Sequence, residues 1–404
     1  MIASRASRAA PPRRLATGLV VGFSLGLVAG LALGPSVEPL RPLADLFIGL
    51  LRAIALPVVA ASMLTAAASL APARLGRLGA VAVAAYLGAS AIATLTGVAV
   101  ATALPAAHAD LVPAAPPAVP GWTALVARWL PTSGAWSVDL LILPVLVVSA
   151  AAGLVLGAAA TRAGTGPHRV VGHLSTGVSW LLLPLWWYAP VGVFALTAIA
   201  FARPGVIAGP LVAAFVSVYL SQAVVAAGLA AALWLGGVPP WRFVAAVRDV
   251  LVTALATGSS AATLPIELKA ASERAGIAAS TAAVTVPLGV SISKVGTAAY
   301  VGALAVWAAQ VTATPLEGDA FARLVAVAVS AAMVTPPIAG GGLIMLGLVF
   351  QQAGLPLGLV GVLGGLPLLG KGNTPLNALG RLVTARLLDG RRGAALAPRV
   401  TLTP

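Results

Sequence analysis

The sequence predicts an all-α polytopic membrane protein with eight transmembrane segments and two re-entrant helical hairpins in its C-terminal half. Three observations carry that prediction. Of 404 residues, 60% are hydrophobic and 8% charged, with a mean hydropathy of +1.02, whereas a soluble domain carries about a quarter of its residues as charges. The apolar runs are long enough to span a bilayer and lack strand-like alternation, so the spans are helical. Two late apolar stretches are too short to cross and break at turns rich in Gly, Ser or Pro. Chain that enters a membrane and turns back has this form, and it is tolerated only where protein or a water-filled cavity surrounds it.

The net charge of +14 comes mostly from arginines in short loops and tails. That pattern sets topology, and no basic stripe interleaved with aromatics supports a nucleic-acid partner. The absence of cysteine excludes disulfides, Cys-ligated zinc and thiol nucleophiles.

In chain order, residues 1–14 form a basic tail carrying Arg5, Arg8, Arg13 and Arg14, and Leu15–Val37 is free of charge. A signal peptide begins the same way, but its apolar region is about 7–15 residues, so a retained first helix starting inside is expected. A second helix runs from about Leu46 to Leu70, bent near Pro57 and carrying Arg52. Arg74 and Arg77 place the loop Ala71–Arg77 inside, and a third helix runs from Leu78 to about Leu104. Pro105–Gly121 has no Lys or Arg and is rich in proline, so it reads as an outside loop. Trp122–Thr161 is interrupted by Pro131 and Pro144 and reads as several short helices; Arg162 and Arg169 put the next loop inside. Leu174–Ala202 and Val206–Leu235 are two more spans, with Trp186, Trp187 and Tyr188 as interface or packing aromatics and Arg203 as an exception to the charge bias. Trp241, Arg242 and Arg248 open the second half inside.

There the pattern changes. Phe243–Thr257 is too short to span and ends in Gly258-Ser259-Ser260, followed by a polar helix to Gly276. Phe321–Thr335 is equally short and breaks at Pro336-Pro337-Ile338-Ala339-Gly340-Gly341-Gly342 before an apolar piece ending at Gln351-Gln352. Each hairpin is followed by a long segment with polar residues inside it, Thr281–Gln310 and Leu355–Leu388. Ser291, Ser293, Lys294, Gly296 and Thr297 cluster mid-segment, and Gly296 is the expected point of unwinding. A hairpin followed by a broken helix, twice, suggests inverted repeats around a shared midplane site. A charge such as Lys294 at that depth costs about 2.5–3.5 kcal/mol on insertion scales, so it normally has a partner and a use.

The entry GLVVGFSLGLVAGLALGPSVEPL, then APARLGRLG, YAPVGVFAL, SSAATLP and VPLG…GTAAY occur in order. With them the chain, from about Ala16 to Leu388, resembles the glutamate transporter homologues of the dicarboxylate/amino acid:cation symporter family. The resemblance implies a homotrimer in the inner cell membrane with both termini cytoplasmic, working as an elevator. It implies scaffold helices 1–4 at 15–165 with the third packing on the moving part, helices 5 and 6 at 166–237, a transport core at 238–390 and a cytoplasmic tail at 391–404. Within the core it implies hairpin 1 at about 241–276, helix 7 at about 281–310, hairpin 2 at about 321–353 and helix 8 at about 355–388. The glycine-rich second hairpin, with Pro336, Pro337, Gly340, Gly341 and Gly342, is implied as the gate.

The departures from the family pattern fall on its cation sites and on two of its substrate positions. The Asn-Met-Asp before Gly-Thr stands here as Ser293-Lys294-Val295, and the two aspartates of the last helix are Leu366 and Gly370. The arginine that holds a substrate side-chain carboxylate is Asn373, whereas Thr374 and Asn377 agree; a sodium-ligand aspartate is Arg381, and a Thr-Ser pair of the third helix is Ala89-Ser90. Between Thr281 and Leu388 the only acids are Glu317 and Asp319, in a loop. Sodium wants hard oxygen ligands, so Lys294 and Arg381 are read as fixed cations replacing mobile ones. The bland alternative is that they pair with backbone carbonyls and are purely structural.

Lys294, Lys371 and Arg381 are thereby expected to leave uncompensated positive charge, which an anionic substrate would relieve. Ser259, Ser260, Thr297, Lys371, Asn373, Thr374 and Asn377 are the expected substrate contacts. Gly370 lacks the carboxylate that would hold an α-amino group, which favours a small carboxylate. Glu267 and Glu273, with Lys269 and Arg274, read as an exposed intrahelical ion-pair network, and Asp249 with Arg248 as an interfacial pair. His108, His168 and His173 show no metal spacing, and no catalytic set, metal or cofactor is expected. The reading is a secondary transporter of small organic anions that is not sodium-coupled. A sodium- or proton-coupled amino acid/dicarboxylate symporter and a channel-like anion conductance stay open as alternatives.

Overall fold

The computed structural model describes residues 13–69, 72–104, 106, 138–162, 173, 177, 180, 183–202, 208–314, 318–333, 335 and 341–390. Among these residues every regular element is helical. The N-terminal half starts with α1 (Arg13–Leu33), which passes through a 3₁₀ segment, Gly34–Leu40, into α2 (Arg41–Ser69). Pro35 and Pro39 have no amide hydrogen to continue an α-helical ladder, so the chain tightens there. α2 runs continuously through Pro57. Next comes α3 (Pro72–Ala103), where proline suits the first helical position. Arg74 and Arg77, expected in a loop, therefore stand in the first turns of α3. α4 (Val138–Arg162) is one helix carrying Pro144, which corrects the expectation of short pieces around that proline; Pro131 lies outside the described residues. α5 (Leu183–Ala200) and α6 (Ala208–Leu235) complete this half.

Small residues set how these helices meet. Gly18, Gly22, Gly26 and Gly30, one per turn of α1, face Pro190, Phe194 and Ala198 of α5, and a Cβ at Gly22 would collide with the Pro190 carbonyl. Gly153 and Gly157 of α4 sit against Leu64, Ala67 and Ala68 of α2 in the same way. Lipid tails are as apolar as leucine, so helices in a bilayer gain little from hydrophobicity and much from close backbone approach at small residues.

The C-terminal half uses shorter elements. α7 (Pro240–Ala246) and α8 (Arg248–Thr257) are separated at Val247. Gly258 ends α8 in the left-handed region, φ 62°, which suits glycine. Ser259 then caps α9 (Ser260–Glu273), its hydroxyl accepting from the Ala262 amide at 3.4 Å. α8 and α9 pack against one another. α10 (Ala279–Ile292) and α11 (Val295–Val311) form one apolar stretch interrupted at Ser293-Lys294. The interruption is not at Gly296, which lies inside α11. Glycine is needed there because a Cβ would collide with the Asn373 carbonyl.

The same order then recurs. α12 (Gly318–Met333) and α13 (Gly341–Gln352) pack as a pair. α14 (Gly358–Gly364), a 3₁₀ turn at Pro367–Gly370 and α15 (Asn373–Leu388) make the second broken segment.

α11 lies at the centre. All of its residues but Gln310 are buried, and it packs on α3, α6, α12, α13 and α15. Along α3 the approach is at backbone contact, Gly97 against Ala299 and Gly302 against Thr94. Five stretches among the described residues are long and apolar enough to cross a membrane, where the sequence predicts eight spans. Part of the difference is the last segment, whose pieces α14 and α15, of 7 and 16 residues, are each below that length.

Candidate functional site

The two breaks, at 293–294 and 365–372, face each other because α15 packs on both α10 and α11. A broken helix exposes a carbonyl end and an amide end, and each needs a partner when buried. Both ends of the first break find theirs in side chains. Lys294 is 1% exposed, and its ammonium turns back to donate to the Val290 carbonyl in the last turn of α10, at 2.8 Å. A cation there also meets the negative end of the helix dipole. The Lys294 amide donates to Ser90 Oγ of α3 at 3.2 Å.

At the other side, Asn377 of α15 caps α11 from outside. Its Oδ1 accepts from the amides of Gly296 at 2.8 Å and Thr297 at 3.2 Å, and its Nδ2 donates to Thr297 Oγ1 at 3.0 Å. Asn377 and Thr297 are therefore engaged with each other. One hydroxyl at the break is unpaired: buried Ser293 Oγ has no hydrogen-bond partner among the described residues.

One turn earlier on α15, Asn373 Oδ1 accepts from Gln222 Nε2 of α6 at 2.8 Å. That bond turns the amide nitrogen of Asn373 toward Gly342 and Gly370, whose added Cβ atoms would lie 3.2 and 3.6 Å from it. The second helix pair thus reaches the break through Gly342, with Thr297 and Tyr300 next to it. Thr374 is buried beside Asn373. Lys371 is half-buried, and its ammonium reaches the Leu255 carbonyl of α8 at 3.5 Å. Gly341 is buried at the start of α13; Pro336, Pro337 and Gly340 lie outside the described residues.

Arg381 is where the sequence expectation fails. It is 0% exposed, but it is not an uncompensated charge. Its Nε and Nη2 donate to the Glu267 carboxylate at 2.9 and 2.5 Å, and its Nη1 points to Ser260 Oγ at 3.4 Å. Glu267, also 0% exposed, accepts a further bond from Thr263 Oγ1 at 2.6 Å. Glu267 is thus no member of an exposed helix-surface network, although Lys269 and Glu273 are exposed as expected. Arg274 bonds across to Asp249 of α8 at 2.7 Å and holds that carboxyl below the usual carboxylate range; Arg248 lies 3.5 Å from the same group.

Sequence reasoning missed three participants, Glu267, Gln222 and Tyr86, whereas Ser90 was singled out in the third helix and does meet the break. A signal for Glu267 existed. Ser260, Thr263, Glu267, Ala270 and Ala271 recur at three- and four-residue spacing, and those five are the buried face of α9. Tyr86 of α3 is fully buried and donates to the Thr285 carbonyl at 3.1 Å, next to the Arg381 backbone. Among the described residues no group of three His, Cys, Asp or Glu side chains could hold a metal ion.

The model of the sodium:dicarboxylate symporter family matches residues 15–390. Excitatory amino acid transporter 1 of Homo sapiens is 31% identical over 191 residues, covering 45% of this chain and 35% of the relative. Neutral amino acid transporter B(0) of Bos taurus is 27% identical over 399 residues, covering 84% and 72%. The C4-dicarboxylate transport protein of Deinococcus radiodurans is 27% identical over 356 residues, covering 83% and 79%. The chain spans about a third of the length of the excitatory amino acid transporters it matches. The family match covers nearly the whole chain and bears out the resemblance read from the ordered motifs: the chain belongs to the sodium:dicarboxylate symporter family.

Proposed function

We propose that this protein is a secondary membrane transporter of small carboxylates that runs without sodium. In this reading the C-terminal half moves as an elevator against the N-terminal helices, and α8–α9 and α12–α13 are re-entrant hairpins. The observation that carries it is the Lys294 ammonium on the Val290 carbonyl at the helix break; a purely structural lysine would pair the same way, and the sodium dependence of uptake separates the two. Unwound carbonyls and half-helix C-termini are the groups with which transporters of this build coordinate a coupling cation, and here a tethered cation holds one of them.

The other donors fit sodium poorly. Leu366 and Gly370 offer no carboxylate, and the one buried carboxylate among the described residues, Glu267, is taken by Arg381. A free monovalent cation about 4 Å from Lys294 would also meet repulsion of about 4 kcal/mol at an effective dielectric constant of about 20.

With Arg381 neutralised by Glu267, the excess charge near the breaks belongs to Lys294 and Lys371. An anion remains the fitting cargo, because the groups that face it can donate: the Asn373 amide nitrogen held in place by Gln222, the Thr374 hydroxyl and the Lys371 ammonium. Asn373 cannot grip a second carboxylate bidentately as a guanidinium would. The relatives named as amino acid and C4-dicarboxylate transporters support the substrate class.

The test is uptake of radiolabelled carboxylates by proteoliposomes holding the purified protein, in sodium or in choline. Equal uptake in both, with counterflow of unlabelled substrate, is the expected result. Uptake that collapses in choline overturns the sodium-independent reading.

A further inference from the structure

The Arg381 guanidinium sits in a set of oxygens supplied by one face of α9. Both Glu267 oxygens and Ser260 Oγ lie within 3.4 Å of its nitrogens, and Thr263 Oγ1 steadies the carboxylate at 2.6 Å. The stem of Arg381 passes over Gly289 of α10, where a Cβ would lie 2.8 Å from Cδ and Cγ. Val286, Ala270, Ala378 and Leu382, fully or almost fully buried, belong to one apolar cluster of α9, α10 and α15, and the Tyr86 ring of α3 stands beside the Arg381 stem at Gly289. Breaking a buried ion pair by removing one partner is strongly destabilising, whereas removing both is often neutral, because the cost lies in the charge left behind. The cage and its occupant are therefore separable.

We propose that Glu267, Thr263 and Ser260 form a monovalent-cation cage whose resident is the chain's own Arg381 guanidinium, and that the cage takes up a small free cation once that tether is cut. Glu267 is then a positioning residue: it fixes the second arm of the first helix pair to α15 through a cation, and the cation is part of the chain. The inference is independent of the transport reading, because its readout is the stability of the detergent-solubilised protein and not uptake.

The experiment compares thermal unfolding of the wild type, Arg381→Ala, and the double variant Arg381→Ala/Glu267→Gln. Each is measured in methylguanidinium chloride, sodium chloride and choline chloride at equal ionic strength. In choline, Arg381→Ala should melt about 5–10 °C below wild type, and the double variant should recover part of that loss. Methylguanidinium or sodium should raise the melting temperature of Arg381→Ala while leaving the wild type and the double variant unmoved. A response to cations equal in Arg381→Ala and the double variant overturns the cage. If Arg381→Ala gives no folded protein in choline, folded protein recovered by adding methylguanidinium or sodium supports the cage, and none recovered in any of the three salts while the double variant folds overturns it.

Discussion

Asn377 shows how one side chain can decide whether a break in a buried helix is tolerable. The amides of Gly296 and Thr297 have no carbonyl one turn back, because the chain is extended at Ser293. Asn377 supplies the missing acceptor from 80 residues away. Leaving a buried donor unsatisfied costs about 1–3 kcal/mol. Asn377→Ala strands two of them, so a loss of about 3 kcal/mol in unfolding free energy is expected, read as a lowered midpoint in detergent-phase thermal unfolding. An unchanged midpoint would show that water or a neighbour replaces the amide. Asn373, one turn earlier, instead keeps a donor available because Gln222 holds its oxygen. The two asparagines share a helix face and differ in role only through what lies opposite.

At the scale of elements, the contact between α3 and α11 rests on glycine. A Cβ at Gly97 would collide with the Ala299 carbonyl, whereas one at Gly88, on the same helix, would meet nothing within 4 Å. Gly97→Ala is therefore expected to lose about 1–3 kcal/mol by overpacking, while Gly88→Ala gains up to about 1 kcal/mol from helix propensity. Equal melting temperatures for the two variants would refute a seam set by backbone approach.

Asp389, just past α15, joins elements differently. It caps the start of α10, accepting from the Ala278 amide at 3.1 Å and the Thr281 hydroxyl at 2.6 Å. Removing such a cap with Asp389→Ala costs about 1 kcal/mol, measurable in the same unfolding assay; no loss would mean the end of α10 is solvated instead. Asp249–Arg274 ties the open ends of α8 and α9, but both side chains are at least one-third exposed, so the pair contributes under about 1 kcal/mol. Its sign with pH is fixed. The Asp249 carboxyl is held below its ordinary range, so the contribution is present above the unfolded-state value and fades as pH falls through the depressed one. Asp249→Asn should flatten that acid limb and leave stability at neutral pH nearly unchanged; an acid limb of unaltered slope would assign the loss to other carboxylates.

At the scale of the whole molecule, a short helix pair and a broken helix occur twice in order, and α15 of the second set closes on α10 and α11 of the first. Much of this was legible. Long uncharged runs, two undersized apolar stretches and Gly-Ser or Gly-rich breaks mark the elements, because a bilayer allows few backbone solutions. Less was legible where proline misled: Pro144 lies inside a continuous helix, since neighbouring helices in a packed bundle can accommodate a lost amide bond. The trimer implied by the resemblance is a prediction at this scale. Light scattering of the purified protein should return three copies per particle, and a stable monomer would exclude it.

The sequence by itself determined the class of molecule and the order of its elements, because these follow from composition and spacing, and its resemblance to the family marked where the family's acids give way to Val295, Leu366, Gly370 and Arg381, with Lys294 beside them. Only the tertiary structure decided what those cations do. Arg381 and Glu267 stand 114 residues apart in the chain, and no local pattern announces that they meet. Pairing was settled when α9 folded its polar face onto α15, since two charges withdrawn from water are tolerable only against each other.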